Sequence, residues 1–155
     1  MCNGRIMIAG TNSGCGKTTV VCGLLKCLLN RKMNIHAFKC GPDYIDTSFH
    51  KKVLKIPTGN LDSWFCKPED LRKIVSKKAD KCDIAVIEGV MGYYDGMGFT
   101  QRASAYEIAD ITSTPVILII NCKGMSSSLE AVLSGFVNMK QNSHIKGVMK
   151  ASQII

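Results

Sequence analysis

The chain has 155 residues, and its hydrophobic share of 46% and charged share of 21% are those of an ordinary globular protein. At roughly 100 to 200 residues per domain, this length suits one compact domain and is too short for a two-domain enzyme. The 20 Lys and Arg residues against 12 Asp and Glu give a net charge of +8. That charge suits a polyanionic partner such as a nucleotide, a nucleic acid or a polycarboxylate, without choosing among them.

The first half of the chain alternates short apolar runs with helical patterns. Residues 6–9 predict a buried strand, and residues 17–30 carry apolar side chains at helical spacing. Residues 35–39 predict a second strand, and 44–54 a short helix. Another helix begins at Pro68, because acidic residues follow it closely and lysines come near the end, as the helix dipole favours.

The second half continues the same alternation. Ser127 and Glu130 have the spacing of a capping box, which predicts a helix start. Strands are predicted at 84–87, 116–120 and 145–149, with helices at about 103–111 and from 127 to about 140. Apolar strands separated by helices predict an α/β fold with a mostly parallel sheet and helices on both faces.

The eight cysteines are scattered, without a C-x-x-C pair or a His at zinc-ligand spacing, so neither a metal site nor a disulfide framework is expected. Most lie in apolar runs, which predicts buried thiols in a reducing cytoplasm. Glycine and polar residues between Gly10 and Gly16 interrupt the N-terminal apolar stretch before a secretory signal could form. No run approaches the roughly 18 apolar residues of a membrane span. We therefore expect a cytoplasmic protein that is not membrane-bound.

The strongest motif, G-T-N-S-G-C-G-K-T-T, lies between the first strand and the first helix. This context is typical of a phosphate-binding loop, because backbone N–H groups and the helix N-terminus face phosphate oxygens. Lys17 is expected to reach the β- and γ-phosphates, and the Thr18 hydroxyl to ligate Mg²⁺. Thr11 occupies the usual first glycine position, so the spacing is a variant, and a structural glycine turn is the alternative. The predicted nucleotide contacts are Thr11, Asn12, Ser13, Gly14, Cys15, Gly16, Lys17, Thr18 and Thr19.

A second group of candidates follows the predicted strand 84–87. Glu88 comes at its carboxyl end, where ligands collect in an open α/β sheet, and could hold Mg²⁺ directly or through water. A strand-end acid in solvent is the alternative. The glycine-rich segment 90–98 has no periodicity, which predicts a mobile active-site loop with Asp95 as a polar contact.

A third group lies in F-K-C-G-P-D-Y-I-D, after the second predicted strand. Lys39 leaves that strand at its carboxyl end, and Asp43 and Asp46 share one face of a helical turn. Two carboxylates this close repel unless a cation separates them, which points to Mg²⁺ or to donors on a substrate. A helix start with Asp near its N-terminus is the alternative. Trp64 and Phe65 are expected to pack on the core, or else against a flat ligand.

Taken together, these motifs, with N-L-D-S-W-F, A-V-I-E-G-V-M-G-Y-Y-D-G and P-V-I-L-I-I-N-C-K-G-M-S-S-S, closely resemble the ATP-binding domain of the cobyrinate a,c-diamide synthase family. That family belongs with the dethiobiotin synthetase-like P-loop NTPases. The resemblance covers about residues 5–148. It implies ATP- and Mg²⁺-dependent amidation of the a and c acetate side chains of cobyrinic acid through acyl phosphates, in cobalamin biosynthesis. Relatives acting on hydrogenobyrinic acid or Ni-sirohydrochlorin share the motifs and stay as alternatives.

The resemblance also implies roles for single residues. Lys39 would stabilise charge on the transferring phosphoryl group, acting with Asp43 and Glu88 as the catalytic set. The implied Mg²⁺ shell is Thr18, Asp43 and Glu88, and the implied substrate contacts are Asp46 and Asp95. The implied partners are a corrinoid polycarboxylate and ammonia from a glutaminase domain or subunit outside this chain. A homodimer is an open option, and no nucleic acid or membrane partner is expected.

The sequence departs from the family pattern in two respects. No Cys or His has the context of a glutaminase site, so we predict one ATP-binding synthetase domain over 1–155, truncated and without glutaminase activity. Residues 148–155 lack the family's Asn-containing loop near the nucleotide base, which leaves base recognition open. A nucleotide-switch ATPase of the ParA or MinD type is disfavoured, because Asn12 replaces that group's second Lys. A folded, inactive remnant is the third alternative.

Overall fold

The computed structural model describes residues 4–151 and contains one six-stranded sheet. Its strands are β1 (Gly4–Gly10), β2 (Ile35–Cys40), β3 (Thr58–Leu61), β4 (Ile84–Glu88), β5 (Val116–Asn121) and β6 (Ile145–Ala151). The order across the sheet is β3-β2-β4-β1-β5-β6, and every neighbouring pair is parallel. The helices are α1 (Lys17–Asn30), α2 (Tyr44–Lys52), α3 (Pro68–Ala79), α4 (Ala105–Thr112) and α5 (Ser128–Asn138). The predicted α/β class with a parallel sheet is confirmed.

Two hydrophobic clusters fill the two faces of the sheet. On one face, side chains of β1, β4 and β5 such as Met7 and Leu118 pack with α3 and α4. On the other face, alternate residues of the same strands, including Ile8 and Ile119, pack with α1. Successive residues of a strand point to opposite faces, so strands buried on both sides must be apolar throughout. This explains why apolar runs in the sequence correctly predicted the central strands.

The model differs from the sequence prediction at β3 and at the start of α5. The strand Thr58–Leu61 was not predicted, because its T-G-N-L sequence has little β propensity and it forms only through edge pairing with β2. The capping box predicted at Ser127 is wrong, since that residue has helical backbone angles and makes no side-chain cap hydrogen bond. A side-chain cap forms at α4 instead, where the Ser104 hydroxyl accepts a hydrogen bond from the Glu107 backbone N–H at 3.1 Å.

Two further predictions about side-chain burial need correction. Trp64 and Phe65 do not pack into the core, because 43% and 78% of their surfaces are exposed. Among the described cysteines, Cys15 and Cys40 are buried as expected, whereas Cys27 is exposed on α1. Cys2 and residues 152–155, the last part of the segment 148–155 that lacks the family's Asn-containing loop, lie outside the described part of the chain. Between residues 4 and 151, no helix has the length and apolar character to cross a bilayer.

Candidate functional site

The loop between β1 and α1 has the backbone geometry of an anion cradle. Gly14 and Gly16 have φ angles of 74° and 98°, in the left-handed region that favours glycine. Gly16 precedes α1 without a side-chain cap, so the helix N-terminus keeps N–H groups for an anion. A Cβ on Gly10, one position before the usual first glycine of the motif, would lie 2.2 Å from the Cys15 sulfur, so a glycine there lets the loop fold closely over β1.

Lys17 lies along the inside of this loop. It is 8% exposed, and its ammonium donates hydrogen bonds to the backbone oxygens of Asn12 at 2.9 Å and Met91 at 2.7 Å. Met91 belongs to the segment after β4, so this lysine connects the loop with the neighbouring strand end. Its ammonium is therefore held next to the cavity that the loop borders. Thr18 and Lys39 also line this cavity.

Glu88 is the buried centre of the site. Sheet register places it beside Ile8 of β1 and Lys39 of β2, and the residue is fully buried. Its Oε1 accepts hydrogen bonds from the Thr18 hydroxyl at 2.6 Å and from the Lys39 ammonium at 2.8 Å. Its Oε2 is buried and has no hydrogen-bond partner among the described residues. The alternative of a strand-end acid in solvent is thus wrong.

The cation between Asp43 and Asp46 is the ammonium of Lys39. Its Nζ lies 2.5 Å from Asp46, 2.8 Å from Glu88 and 3.8 Å from Asp43. Burial disfavours the charged ammonium, but Glu88 and Asp46 outweigh that effect, so the pKa of Lys39 is raised above its ordinary value. Lys39 therefore carries a fixed positive charge at neutral pH, and it lines the cavity that the loop between β1 and α1 borders.

Asp43 takes the helix-start position that the sequence left as an alternative. Its Oδ1 caps α2 by accepting a hydrogen bond from the Ile45 backbone N–H at 3.0 Å. The turn before it is held by Asn60 of β3, which donates to the backbone oxygens of Gly41 at 2.9 Å and Asp43 at 2.8 Å. Sequence reasoning gave Asn60 no role, although it stood in the motif N-L-D-S-W-F. The reason for an amide at position 60 becomes visible only in the structure, where the unpredicted strand β3 places Asn60 beside the turn before α2.

The segment after β4 is anchored to the rest of the fold by two tyrosines. The Tyr93 and Tyr94 side chains are buried, and their hydroxyls donate to the backbone oxygens of Ser143 at 2.7 Å and Phe136 at 2.8 Å. Asp95 is exposed, and its Oδ2 accepts a hydrogen bond from the Gly92 backbone N–H at 3.1 Å. It therefore stabilises its own turn and makes no hydrogen bond to the Lys39 group.

The residues at this site fit a magnesium ion bound together with phosphates. Within residues 4–151, no three His, Cys, Asp or Glu side chains form a ready-made metal cage. Mg²⁺ usually keeps several waters and takes one or two carboxylates plus phosphate oxygens, so no such cage is required. The Oε2 of Glu88, which is buried and has no partner within the described residues 4–151, and the adjacent Thr18 hydroxyl offer suitable oxygen ligands.

The site has a loop with several glycines and an internal lysine between a parallel strand and a helix. A carboxylate lies on the strand that neighbours β1 in the sheet. These features define a P-loop nucleoside-triphosphate-binding domain. Comparison with protein families agrees with this class. The chain belongs to the CobQ/CobB/MinD/ParA nucleotide binding domain family, whose model matches residues 6–150.

Curated relatives with similar sequences and solved structures with similar folds were both found for this chain. Cobyrinate a,c-diamide synthase of Priestia megaterium is 41% identical over 150 residues, which are 96% of this chain and 33% of that protein. The enzyme of the same name from Limosilactobacillus reuteri is 44% identical over 147 residues, 94% of this chain and 32% of that protein. The chain thus spans about a third of the length of these curated relatives. The signal recognition particle receptor FtsY of Elizabethkingia anophelis matches with a TM-score of 0.68 at 12% identity, covering 96% of this chain and 50% of that one, and shows the fold alone.

Proposed function

We propose that this chain is the ATP-binding part of a cobyrinate a,c-diamide synthase, which amidates the a and c acetate side chains of cobyrinic acid in cobalamin biosynthesis. The names of relatives that are more than 40% identical over nearly the whole chain support this choice. The observation that carries it is the Lys39 ammonium, which lines the P-loop cavity and is held there by Glu88 and Asp46. These carboxylates hold one ammonium in a fixed position beside the cavity in which a phosphoryl group would move.

The proposed reaction solves the problem that a carboxylate oxygen is a poor leaving group. A substrate carboxylate oxygen attacks the γ-phosphorus of ATP, the bond from that phosphorus to the bridging oxygen breaks, and ADP leaves. Ammonia then attacks the carbonyl carbon of the acyl phosphate, phosphate departs, and the nitrogen loses a proton to give the amide. In the first step the protein acts by positioning and electrostatics, since phosphoryl transfer needs little covalent help.

In this proposal, the residues of the P-loop from Thr11 to Thr19 bind the triphosphate, and Lys17 exchanges its two backbone acceptors for phosphate oxygens. Lys39 stabilises the negative charge on the transferring group, and its carboxylate partners hold the ammonium in place. Thr18, Glu88 and Asp43 would hold Mg²⁺, which supplies further neutralisation of phosphate charge when bound.

Asp46 and Asp95 are proposed to orient the substrate. Asp46 lines the cavity that contains the P-loop and so stands close to the proposed reaction centre. Asp95 lies on the exposed turn of the segment after β4 and would contact substrate from outside that cavity. Hydrogenobyrinic acid and Ni-sirohydrochlorin carry the same kind of peripheral carboxylates and are the alternative substrates.

The test is to incubate the chain with ATP, Mg²⁺, cobyrinic acid and ammonia, and to follow ADP and the diamide by mass spectrometry. The two alternative tetrapyrroles are run in parallel. Glutamine replaces ammonia in a second series and is expected to give no amide. Diamide formed from glutamine would contradict the predicted lack of glutaminase activity.

Lys17→Ala is expected to abolish ATP binding, because it removes the cation that faces the triphosphate. Lys26→Ala is the matched control, since Lys26 is an exposed lysine on the same helix. Binding is measured by calorimetry with ATP and Mg²⁺. No ATP binding by the unaltered chain would refute the proposal, and ATP-dependent dimerisation without substrate turnover would favour a nucleotide switch.

A further inference from the structure

An apolar pocket of about 320 Å³ lies beside the P-loop cavity. It opens at the carboxyl ends of β2, β3 and β4, and its walls include Pro42, Trp64, Phe65, Met91 and Met97. Met91 lines this pocket and the P-loop cavity alike. A molecule seated in the pocket would therefore be separated from the P-loop cavity by only one segment of backbone.

The aromatic wall of this pocket is exposed at an energetic cost. Trp64 is 43% exposed and Phe65 is 78% exposed, although both follow a strand whose last residue is fully buried. Leaving a large apolar side chain in water forgoes about 1.5–3 kcal/mol relative to burial. Exposed aromatic side chains around a concave surface are typical of sites that take an apolar ligand.

Hydrogen bonds fix the two sides of the pocket relative to each other. Asp62 accepts a hydrogen bond from the Trp64 backbone N–H at 2.8 Å, which shapes the turn that carries the aromatic wall. The half-buried Glu107 carboxylate accepts hydrogen bonds from the Ser63 hydroxyl and from the Ala103 backbone N–H. Glu107 thus ties the aromatic turn to Ala103, which lines the pocket from the loop before α4. The pocket is a constructed feature of the fold.

A free positive charge stands at the edge of the aromatic wall. The Arg102 guanidinium lies over the Trp64 ring, 4.5 Å from its centroid. Within residues 4–151, the salt bridges involve only Lys39 and His144 as cations, so Arg102 has no carboxylate partner there. An apolar aromatic wall with an unpaired cation beside it matches a flat apolar ring that carries carboxylates at its periphery.

We propose that this pocket binds the ring of the macrocyclic polycarboxylate whose acetate groups are phosphorylated. Trp64 and Phe65 contact the ring, Arg102 pairs with a peripheral carboxylate, and Glu107 is a positioning residue that keeps the aromatic wall in place. This inference rests on the proposed function, because it takes the substrate class from there. The new element is the surface of the chain that recognises the substrate, which is expected to bind it without nucleotide present.

Trp64 is the only tryptophan of the chain, so its fluorescence reports on the pocket directly. Cobyrinic acid is titrated into the full chain without nucleotide, with free tryptophan as the control for light absorbed by the ligand. We expect saturable quenching. Phe65→Ala should raise the dissociation constant about tenfold, which corresponds to ~1.4 kcal/mol. Phe99→Ala is the matched control, because Phe99 is fully exposed and does not line the pocket.

Glu107 is tested by comparing two substitutions. Glu107→Ala removes both hydrogen bonds and should weaken cobyrinic acid binding, whereas Glu107→Gln keeps an acceptor oxygen and should restore part of it. The dissociation constant for ATP should be the same in both variants. An equal loss of ATP affinity would indicate general damage to the fold and would overturn the positioning role.

The outcomes separate this inference from the proposed function. Absence of quenching in the unaltered chain, or equal losses in the Phe65 and Phe99 variants, would overturn the ring site while leaving ATP-dependent chemistry intact. Quenching that vanishes in high salt but is unchanged by Phe65→Ala would show that cobyrinic acid binds by charge alone. That result would also overturn the ring site. Loss of ATP binding with quenching retained would instead refute the proposed function.

Discussion

Replacing Lys39 with methionine should destabilise the protein, because Glu88 would stay buried without its cation. The Lys39 ammonium is shared by three carboxylates, whose side-chain exposures are 38% for Asp43, 20% for Asp46 and 1% for Glu88. Water can solvate the two aspartates once the ammonium is gone. It cannot reach Glu88, so the cost falls on that residue.

Removing one partner of a buried ion pair costs about 3–5 kcal/mol. A domain of this size has a total stability of about 5–15 kcal/mol, so the variant should still fold. At about 2–4 °C per kcal/mol, its melting temperature should fall by roughly 6–20 °C. Urea denaturation followed by Trp64 fluorescence and circular dichroism measures the difference in unfolding free energy.

A second substitution makes this prediction specific to Glu88. Adding Glu88→Gln should recover much of the loss, because the buried charge is then absent. Lys51→Met, on the exposed side of α2, should stay within about 0.5 kcal/mol of the unaltered chain. A deficit below about 1 kcal/mol, or no recovery of stability on adding Glu88→Gln, would refute the reasoning.

Two other predictions concern the buried histidines and the close contact between Gly10 and Cys15. Burial lowers the pKa of both His36 and His50, so the unfolded chain binds more protons than the folded one below about pH 6.5. The unfolding free energy should therefore fall from pH 7 to pH 5, and less steeply in the double His→Gln variant; equal slopes would contradict this. Gly10→Ala places a Cβ against the Cys15 sulfur and should cost about 1–3 kcal/mol and weaken ATP binding. Adding Cys15→Ala should restore most of the stability and of the ATP affinity. If neither is restored, the contact between the new Cβ and the Cys15 sulfur does not cause the losses.

The parts of the fold that could be predicted are those in which local sequence and tertiary burial agree. The central strands are apolar on both faces, and the predicted bounds of α1, 17–30, match the structure. Strand β3 escaped prediction because edge pairing with β2, and not its own sequence, makes it a strand. Ser127 and Ser104 show the same limit: both stand three residues before a glutamate, yet only Ser104 has the extended backbone that lets its hydroxyl act as a cap.

By itself, the sequence determined the parallel α/β architecture, the P-loop between β1 and α1, and the presence of Lys39 and Glu88 at strand ends, because these depend on local pattern and on the chemistry of short motifs. Only the tertiary structure decided that the Lys39 ammonium is the cation between the aspartates, since that depends on the register of β2 against β4. It also decided that Trp64 and Phe65 remain exposed beside the P-loop cavity, because Glu107, distant in sequence, fixes their turn. Contacts between segments far apart in the chain have no local signature, and they are what arranges these motifs into one site.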